Sequence, residues 1–238
     1  MITSVYFDNF KALTKFSISL KDFNILVGLN NSGKSTILDA FRILQGAFRF
    51  ASRKNPKHIL LPNGKTIFGY EIPVNSIPIV LDNLQTNYTD EPSEIKYHFK
   101  DGQNLYVTFF KTTPYLHFDT PRALPRNSTS FRKEFPIELN VIPTLGPLET
   151  DENILDEEYV KRWFGSRRAP RMFRNIWFYF PEDFEYFKKL VEDTWKGMTI
   201  HLPEKEQGFS NGLYMICEEN RLSREVCWAG FGFQIWLQ

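Results

Sequence analysis

The sequence predicts a mixed α/β fold, in which a buried strand leads into a long amphipathic helix and an antiparallel region follows. Three observations predict it. Residues 25–28 are a short apolar run, typical of a strand that is buried on both faces. From residue 35 to 50, apolar residues recur at helical spacing. Between residues 66 and 143, several alternating segments are separated by turn residues, which indicates a meander of antiparallel strands.

Length, charge and cysteine content exclude several classes of protein. The 238 residues carry a net charge of +1, with 42% hydrophobic and 24% charged residues, so the chain is globular and its bulk charge does not indicate a nucleic-acid partner. Two cysteines, Cys217 and Cys227, exclude a disulfide framework, and we expect free thiols. The sequence has no apolar run long enough to span a membrane, and its first residues do not form a secretory signal. We therefore expect a cytoplasmic protein that does not bind membranes.

The first quarter of the chain alternates and then changes period. Residues 4–10 and 15–20 read as strands, and residues 25–28 as the buried strand. The helix over 35–50 presents Ile37, Leu44 and their neighbours on one face. The segment between the buried strand and this helix is therefore a strand-to-helix loop.

The remaining elements follow from alternation, turn residues and helix-start signals. Asp101-Gly102 predicts a tight hairpin turn, because glycine adopts the positive φ that such turns need. Residues 121–127 read as an irregular basic segment, and Pro181 with two acidic residues after it marks a helix start. The predicted later strands span 66–71, 77–84, 95–100, 104–111, 115–120, 135–143, 199–202 and 213–217, and the predicted later helices span 152–164, 170–178, 182–197 and the residues from 232 onward.

The strand-to-helix loop carries the clearest chemical motif, since residues 28–35 match G-x-x-x-x-G-K-[ST]. Backbone N–H groups of such a loop and the positive end of the helix after it bind a polyphosphate without large ordering costs. Lys34 is expected to reach the β- and γ-phosphates, the hydroxyl of Ser35 to ligate Mg²⁺, and Thr36 to bond the α-phosphate. The predicted nucleotide-binding residues are Gly28, Asn30, Asn31, Ser32, Gly33, Lys34, Ser35 and Thr36.

Around this loop, the sequence resembles a known class of P-loop protein. The segment Tyr6-Phe7-Asp8-Asn9-Phe10-Lys11, followed by residues 23–40, is similar to the start of the ABC-type ATPases of the SMC and OLD class. Residues 142–149 and Trp228-Ala229-Gly230-Phe231-Gly232-Phe233-Gln234 also resemble this class, the latter its signature motif. More loosely, the chain looks like AAA family ATPases of bacterial anti-phage systems of the Septu and retron-associated type.

The resemblance implies a P-loop NTPase with an ABC ATPase head-like fold that dimerises around ATP. One subunit binds ATP and Mg²⁺ through its loop, with Lys11 beside the nucleotide. The other subunit presents Gly230, Gly232 and Gln234 to the γ-phosphate from a helix N-terminus. The residues themselves leave a simpler interpretation open, in which Gly230 and Gly232 form a glycine turn that leads into an apolar helix.

The resemblance also implies a division of one ATPase domain, 1–238, into four parts. These are a P-loop core (1–65), an antiparallel β-subdomain (66–143), a helical insertion (144–202) and a return to the core with the signature-like motif (203–238). The Walker B acids that follow the signature in this class are expected to be missing, so the chain resembles an ATPase that is incomplete at its C-terminus. Two internal segments imitate Walker B, at Ile79–Asp82 and Tyr214–Glu219, but both also read as ordinary strand ends. No glutamine stands at the expected Q-loop position, and Gln85 lies too early in the chain.

A basic cluster predicts a second contact. Arginines mixed with Trp163, Phe164 and Phe173 can bind a phosphate backbone without reading sequence, or can form a solvated helical face. Further cations lie between residues 122 and 133. The arginines of the cluster are Arg162, Arg167, Arg168, Arg171 and Arg174.

Three functions follow from these observations. The first is an ATPase of anti-phage defence or DNA processing, which works as an ATP-bridged dimer or higher homo-oligomer with a nuclease or other defence-system protein. The second is a nucleotide-binding assembly module with no turnover of its own. The third is another P-loop NTPase or kinase, which is disfavoured because no N-K-x-D or D-x-x-G motif is present.

Overall fold

The computed structural model describes residues 1–82, 84–142, 145–166, 168–206 and 211–238. The chain divides into two compact units, residues 1–141 and residues 142–238. The α-helices of the described residues are α1 (Lys34–Ala51), α2 (Ser128–Glu134), α3 (Glu157–Trp163), α4 (Phe173–Tyr179), α5 (Phe184–Thr194) and α6 (Phe231–Leu237). None of these helices is long and apolar enough to cross a membrane.

The first unit is built on one seven-stranded sheet, in the order β2-β1-β5-β6-β7-β4-β3. Every strand pair in it is antiparallel. Its strands are β1 (Ile2–Phe10), β2 (Leu13–Ser19), β3 (Lys57–Leu60), β4 (Thr66–Glu71), β5 (Ser93–Phe99), β6 (Asn104–Phe110) and β7 (Thr113–Asp119).

Helix α1 and one face of this sheet enclose the core of the first unit. Strand β5 alternates buried and half-buried positions, with Ile95, Tyr97 and Phe99 buried. Ile43 and Leu44 of α1 belong to the same fully buried cluster. The hydroxyl of Tyr97 donates to the Ala40 carbonyl at 2.6 Å and joins the sheet to the helix. This packing sets the position of the loop that precedes α1.

The second unit has its own hydrophobic core and two small antiparallel sheets. One sheet has the order β10-β11-β8 and the other the order β13-β12-β9. Val191, Ile200, Met215 and Val226 are fully buried in this core. The strands are β8 (Glu152–Asn153), β9 (Met198–Ile200), β10 (Glu204–Lys205), β11 (Gly212–Tyr214), β12 (Ile216–Glu219) and β13 (Leu222–Glu225).

The predicted buried strand at residues 25–28 is wrong. This segment pairs with no described strand, and the side chain of Val27 is 87% exposed while Leu26 alone packs partly on the core. A strand is stabilised by the neighbours that bond and cover it. An apolar run in a sequence shows the tendency of the segment but does not show whether a partner strand exists.

Two further predicted strands, 77–84 and 135–143, run without ladder bonds over their described residues. In the first, Ile77, Ile79 and Leu81 are buried as the alternation predicts. Pro78 and Pro136 interrupt the two segments, and proline has no N–H to donate to a ladder. Alternation therefore located the buried faces but not the pairing.

Most of the other predicted elements match the structure within a few residues. Strands β3, β10 and β13 and helix α2 were not predicted, and β3 lies in a stretch predicted to be a loop. The predicted strand 213–217 is divided between β11 and β12, and residues 152–153 of the predicted helix 152–164 form strand β8. The Asp101-Gly102 turn is present, with a φ of 84° at Gly102.

The four-part domain division also differs from the structure. Strands β1 and β2 of the predicted core lie in one sheet with the strands of the predicted β-subdomain. Residues 203–206 and 211–238 belong to the second unit, and Val226 and Phe233 lie in its core.

Candidate nucleotide-binding site

The loop over residues 28–33 is a compact turn that ends at the first residue of α1. The Ser32 N–H donates to the Leu29 carbonyl at 3.2 Å and closes the turn. Asn31 and Gly33 adopt left-handed backbone, with φ values of 66° and 88°. Helix α1 begins at Lys34, directly after this reversal, so its positive end faces the loop.

Two glycines are required by the shape of the loop. A Cβ added at Gly28 would lie 2.7 Å from Oγ of Ser32, so a side chain there would displace the hydroxyl. A Cβ at Gly33 would lie 3.3 Å from Cδ2 of Leu13, at a φ that side chains rarely adopt. The two glycines of the motif therefore hold the loop in a closed curve.

Lys34 reaches back into this curve. Its Nζ donates to the carbonyls of Gly28 and Leu29, each at 2.7 Å, and lies 3.3 Å from Oγ of Ser32. The Lys34 ammonium therefore lies inside the curve of the loop, next to the positive end of helix α1. This arrangement fits a polyphosphate, which would take the Lys34 ammonium from the carbonyls as its hydrogen-bond partner.

The other predicted ligands lie in the same place. Ser35 and Thr36 occupy the first turn of α1, where N–H groups lack carbonyl acceptors within the helix. A serine hydroxyl is an oxygen donor of the kind that Mg²⁺ prefers, together with phosphate oxygens and water. The predicted residues from Gly28 to Thr36 are therefore continuous around one loop and helix end.

Lys11, which the resemblance places beside the nucleotide, contacts the helix that follows the loop. Its Nζ lies 2.8 Å from Oδ2 of Asp39, which belongs to α1 rather than to the loop. Asp39 also pairs with Arg42 at 3.0 Å, and the Arg42 side chain is buried. The triad fastens the turn between β1 and β2 to the helix after the loop. Sequence analysis missed Asp39 and Arg42, whose signal is a pair of opposite charges three positions apart on the apolar side of a helix.

The side chain of Gln234 is buried inside the second unit and forms hydrogen bonds there. Its side-chain oxygen accepts from the Leu148 N–H at 2.9 Å, and its nitrogen donates to the carbonyls of Cys227 and Ala229 at 2.8 and 2.7 Å. Presenting this amide to a second subunit would break all three bonds, so the structure gives Gln234 a structural role. Gly230 caps α6 and Gly232 lies in its first turn, and an added Cβ would meet no atom at either position.

The two segments that imitate Walker B differ in their local structure. Asp82 lies in a turn with no strand before it. Glu218 faces His201 at 4.0 Å, and Glu219 pairs with Arg224. Within the described ranges, no three histidine, cysteine, aspartate or glutamate side chains are grouped to hold a metal. The side chain of Gln85 donates to the Lys111 carbonyl at 3.0 Å.

The predicted basic cluster is divided by the structure. Arg174 is fully buried and pairs with Glu152 at 3.2 Å and Glu225 at 2.6 Å, so its assignment to a phosphate-binding surface is wrong. Burial alone would lower the pKa of Arg174, but the hydrogen bonds and charges of these carboxylates raise it.

The other arginines of the cluster have varied surroundings. Arg168 stacks on the Trp163 ring at 4.2 Å and donates to the Tyr159 hydroxyl, while Arg162 lies 5.2 Å from the same ring. Arg171 is exposed and lies 3.4 Å from Glu149. Arg167 lies outside the described residues.

Both cysteines are free thiols, as predicted. Burial raises the pKa of the Cys217 thiol, and burial together with Glu225 raises that of Cys227 to about 11. A raised pKa lowers the fraction of reactive thiolate, so the surroundings of neither cysteine activate it as a nucleophile.

Comparison with known protein families finds one family model that matches most of this chain. The model of a family described as an AAA ATPase domain matches residues 1–214, which includes the whole loop and the sheet of the first unit. A search of curated proteins finds no match.

Proposed function

The chain belongs to the AAA ATPase domain family, and from this premise we propose that residues 28–36 bind Mg–ATP and that hydrolysis follows when two copies of the chain complete the site. Membership of the family supports nucleotide binding and ATPase activity in general terms. The part played by each residue and the dimeric site are our proposal.

The observation that carries the proposal is the position of the Lys34 ammonium inside the curve of the loop. A triphosphate brings several negative charges, and its binding is favoured where a cation, backbone N–H groups and a helix N-terminus converge. Lys34 would exchange its two carbonyl partners for phosphate oxygens, which are stronger acceptors for an ammonium. Asn30 and Asn31 would supply backbone N–H groups from the exposed side of the loop, and the Ser32 N–H would exchange the Leu29 carbonyl for a phosphate oxygen.

Mg²⁺ would be held by the Ser35 hydroxyl together with phosphate oxygens and water, and when bound it would neutralise charge on the phosphates. Thr36, one residue further along α1, would bond the α-phosphate. The remaining contribution of this chain is positional, because the Lys11–Asp39–Arg42 triad holds α1 and hence the start of the helix in place.

Dimerisation around ATP follows from the resemblance of Gly230 and Gly232 to the signature of ABC-type ATPases. Two features of α6 support it. Space is open around both glycines, so a phosphate can approach the backbone there, and the neighbouring Trp228 and Phe231 are largely exposed. A role in anti-phage defence or DNA processing, with a nuclease or other defence-system partner, rests on the same resemblance.

Binding is tested by titrating the purified chain with a fluorescent ATP analogue and Mg²⁺, beside a Lys34→Ala variant. We expect the variant to lose at least about tenfold in affinity, because a charge-assisted contact to phosphate is worth roughly 1.5–3 kcal/mol. Circular dichroism should remain unchanged, since the Lys34 bonds are exposed to solvent.

The matched control is Lys15→Ala, an exposed lysine of β2 that lies outside the loop. Its affinity should equal that of the unmodified chain. Normal ATP binding by a folded Lys34→Ala protein would refute the assignment of the site, and a clear preference for GTP would refute the assignment to ATP.

A second function, nucleotide binding without turnover, is favoured by one observation. The acids of the segment 214–219 are engaged with His201 and Arg224, and Gln234 is engaged inside its own unit. Phosphate release distinguishes the two functions. A rate per subunit that rises with protein concentration supports the dimeric ATPase, whereas tight binding with no phosphate release at any concentration supports the binding module.

A further inference from the structure

We propose that a basic groove on the first unit, distinct from the nucleotide loop, binds single-stranded nucleic acid. The groove has a volume of about 1140 Å³ and lies between the start of β3 and the segment that leads into α2. Its walls combine cations with rings and an apolar side chain, among them His58, Phe68, Arg122, Leu124, Arg126 and Lys133.

Positive charge is concentrated at this groove. Segments 52–60 and 120–134 carry seven lysines and arginines and one acid, Glu134, in a chain whose net charge is only +1. All seven cations are exposed. Arg122, Arg126 and Lys133 line the groove itself, and the other four cations lie in the two segments that supply its walls. Such an excess of positive charge indicates an anionic partner that spans several charges. The cations are Arg53, Lys54, Lys57, Arg122, Arg126, Arg132 and Lys133.

Most of this charge is not neutralised by the protein. Within the described residues, Arg122 alone among the seven has an ion pair, at 3.6 Å from Glu134. Glu134 also accepts from Gln103 at 3.0 Å and from Thr120 at 2.5 Å. Partial burial raises the pKa of Glu134, but these hydrogen bonds and Arg122 outweigh it and keep the pKa below its usual value. The single acid of the groove is thus ionised and already occupied by neighbours.

The walls of the groove are held in place before any partner binds. The Asn127 side chain accepts from the Ser130 N–H at 2.8 Å, and Ser130 bonds back to Asn127, which fixes the start of α2. The Ser128 N–H donates to the Asn55 side chain at 3.2 Å and joins the two walls. Pro125 is buried beneath the segment. A preformed groove binds with a smaller ordering cost than a mobile loop.

The lining favours a single strand over a duplex or a simple polyanion. His58 is exposed and lies 4.9 Å from the Phe68 ring, and Leu124 is half exposed beside the cations. Unpaired bases can stack on such rings while their phosphates meet lysine and arginine side chains. A duplex presents its phosphates outward and buries its bases, so it would leave the rings of the groove unused.

The test uses the full chain, a fluorescently labelled single-stranded oligonucleotide and a series of salt concentrations. We expect log affinity to fall linearly with log salt. An Arg126→Gln/Lys133→Gln variant should bind more weakly and reduce the slope by roughly 1.4, about 0.7 for each lost phosphate contact. Both side chains are exposed, so the fold should be unaffected.

The matched control removes two exposed lysines elsewhere on the same unit, Lys15→Gln/Lys111→Gln. Lys15 lies on β2, which is an outer strand of the sheet, and Lys111 lies in the β6–β7 turn, at the opposite end of β7 from Thr120. This variant should keep the affinity and slope of the unmodified chain. Equal losses in the two variants would show an effect of net charge and would overturn the assignment to the groove.

A His58→Ala variant tests whether bases are recognised. We expect this variant to lose about tenfold in affinity for the oligonucleotide, which is the effect of removing one stacking contact between a base and a ring. Its affinity for inorganic polyphosphate should be unchanged. Tighter binding of a duplex, or equal binding of polyphosphate or an acidic peptide with no effect of His58→Ala, would overturn the proposal. So would the absence of oligonucleotide binding at low salt.

Discussion

At the scale of single residues, the same type of side chain has opposite roles in the two units. Arg174 is an arginine in a basic stretch of sequence, yet its side chain is buried between two carboxylates and also donates to the Glu149 carbonyl at 2.8 Å. Arg126 lies in a shorter basic stretch, yet it is exposed on the wall of a groove. The distinction depends on residues far along the chain, since Glu152 and Glu225 are distant from each other in sequence.

Arg174 should therefore be essential to stability. An Arg174→Met variant leaves Glu152 without its buried partner, and we expect a loss of about 3–5 kcal/mol in the free energy of unfolding. Urea denaturation followed by tryptophan fluorescence measures it. Arg171→Met is the matched control, because the Arg171 side chain is 77% exposed, and we expect a change within about 0.5 kcal/mol. Similar small losses in both variants would contradict the structural role of Arg174.

At the scale of elements, the segment before the nucleotide loop differs most from its sequence pattern. Phe23, Ile25, Val27 and Leu29 are all strongly exposed, although their composition is typical of a buried strand. Helix α1, directly after the loop, is placed as predicted because its apolar face has a sheet to cover. The loop is therefore supported from the helix side, by packing and by the Lys11–Asp39–Arg42 triad.

Two valine substitutions measure this difference between elements. Val27→Ala should change the free energy of unfolding by less than about 0.5 kcal/mol, because little apolar surface is covered there. Val107→Ala, at a fully buried position of β6, should cost about 2 kcal/mol through lost burial and the cavity it leaves. Thermal and urea denaturation measure the free energy of unfolding of both variants. A loss at Val27 as large as that at Val107 would mean that the segment is covered after all.

At the scale of the whole molecule, two hydrophobic cores correspond to two units. The core residues of the first unit lie within 1–141, and those of the second lie within 142–238. The nucleotide loop and the basic groove both belong to the first unit, and the signature-like glycines belong to the second. Under the proposed function, each unit thus supplies a different part of the composite site.

A fragment of residues 1–141 should fold by itself, because its sheet, its helices α1 and α2 and its buried cluster are all formed by residues within that range. We expect one cooperative unfolding transition and an affinity for Mg–ATP close to that of the full chain. A fragment of residues 1–110, which lacks β7 and α2, serves as the control and should be unfolded. An unfolded 1–141 fragment would show that its core requires the second unit.

The nucleotide loop could be predicted from sequence because its requirements are local. Glycines at residues 28 and 33, a lysine and a serine or threonine after them, and a helical pattern that follows are all adjacent in the chain. The β5–β6 and β6–β7 hairpins were predictable for the same reason, since each pairs segments that are close in sequence and are separated by turn residues. The β3–β4 hairpin was not predicted, because residues 57–60 lie in a stretch that reads as a loop. In the structure, helix α1 begins at Lys34, and β5, β6 and β7 pair in order as the predicted meander requires.

Tertiary structure alone decided which apolar segments are covered and which charges are used. The strand at residues 25–28 and the surface role of Arg174 were predicted from composition, but coverage and pairing depend on residues that are distant in the chain. The basic groove has the same origin, because segments 52–60 and 120–134 are separated by half of the first unit and meet through the bond from Ser128 to Asn55. Local patterns specify what a segment can do, and long-range packing determines whether it does so.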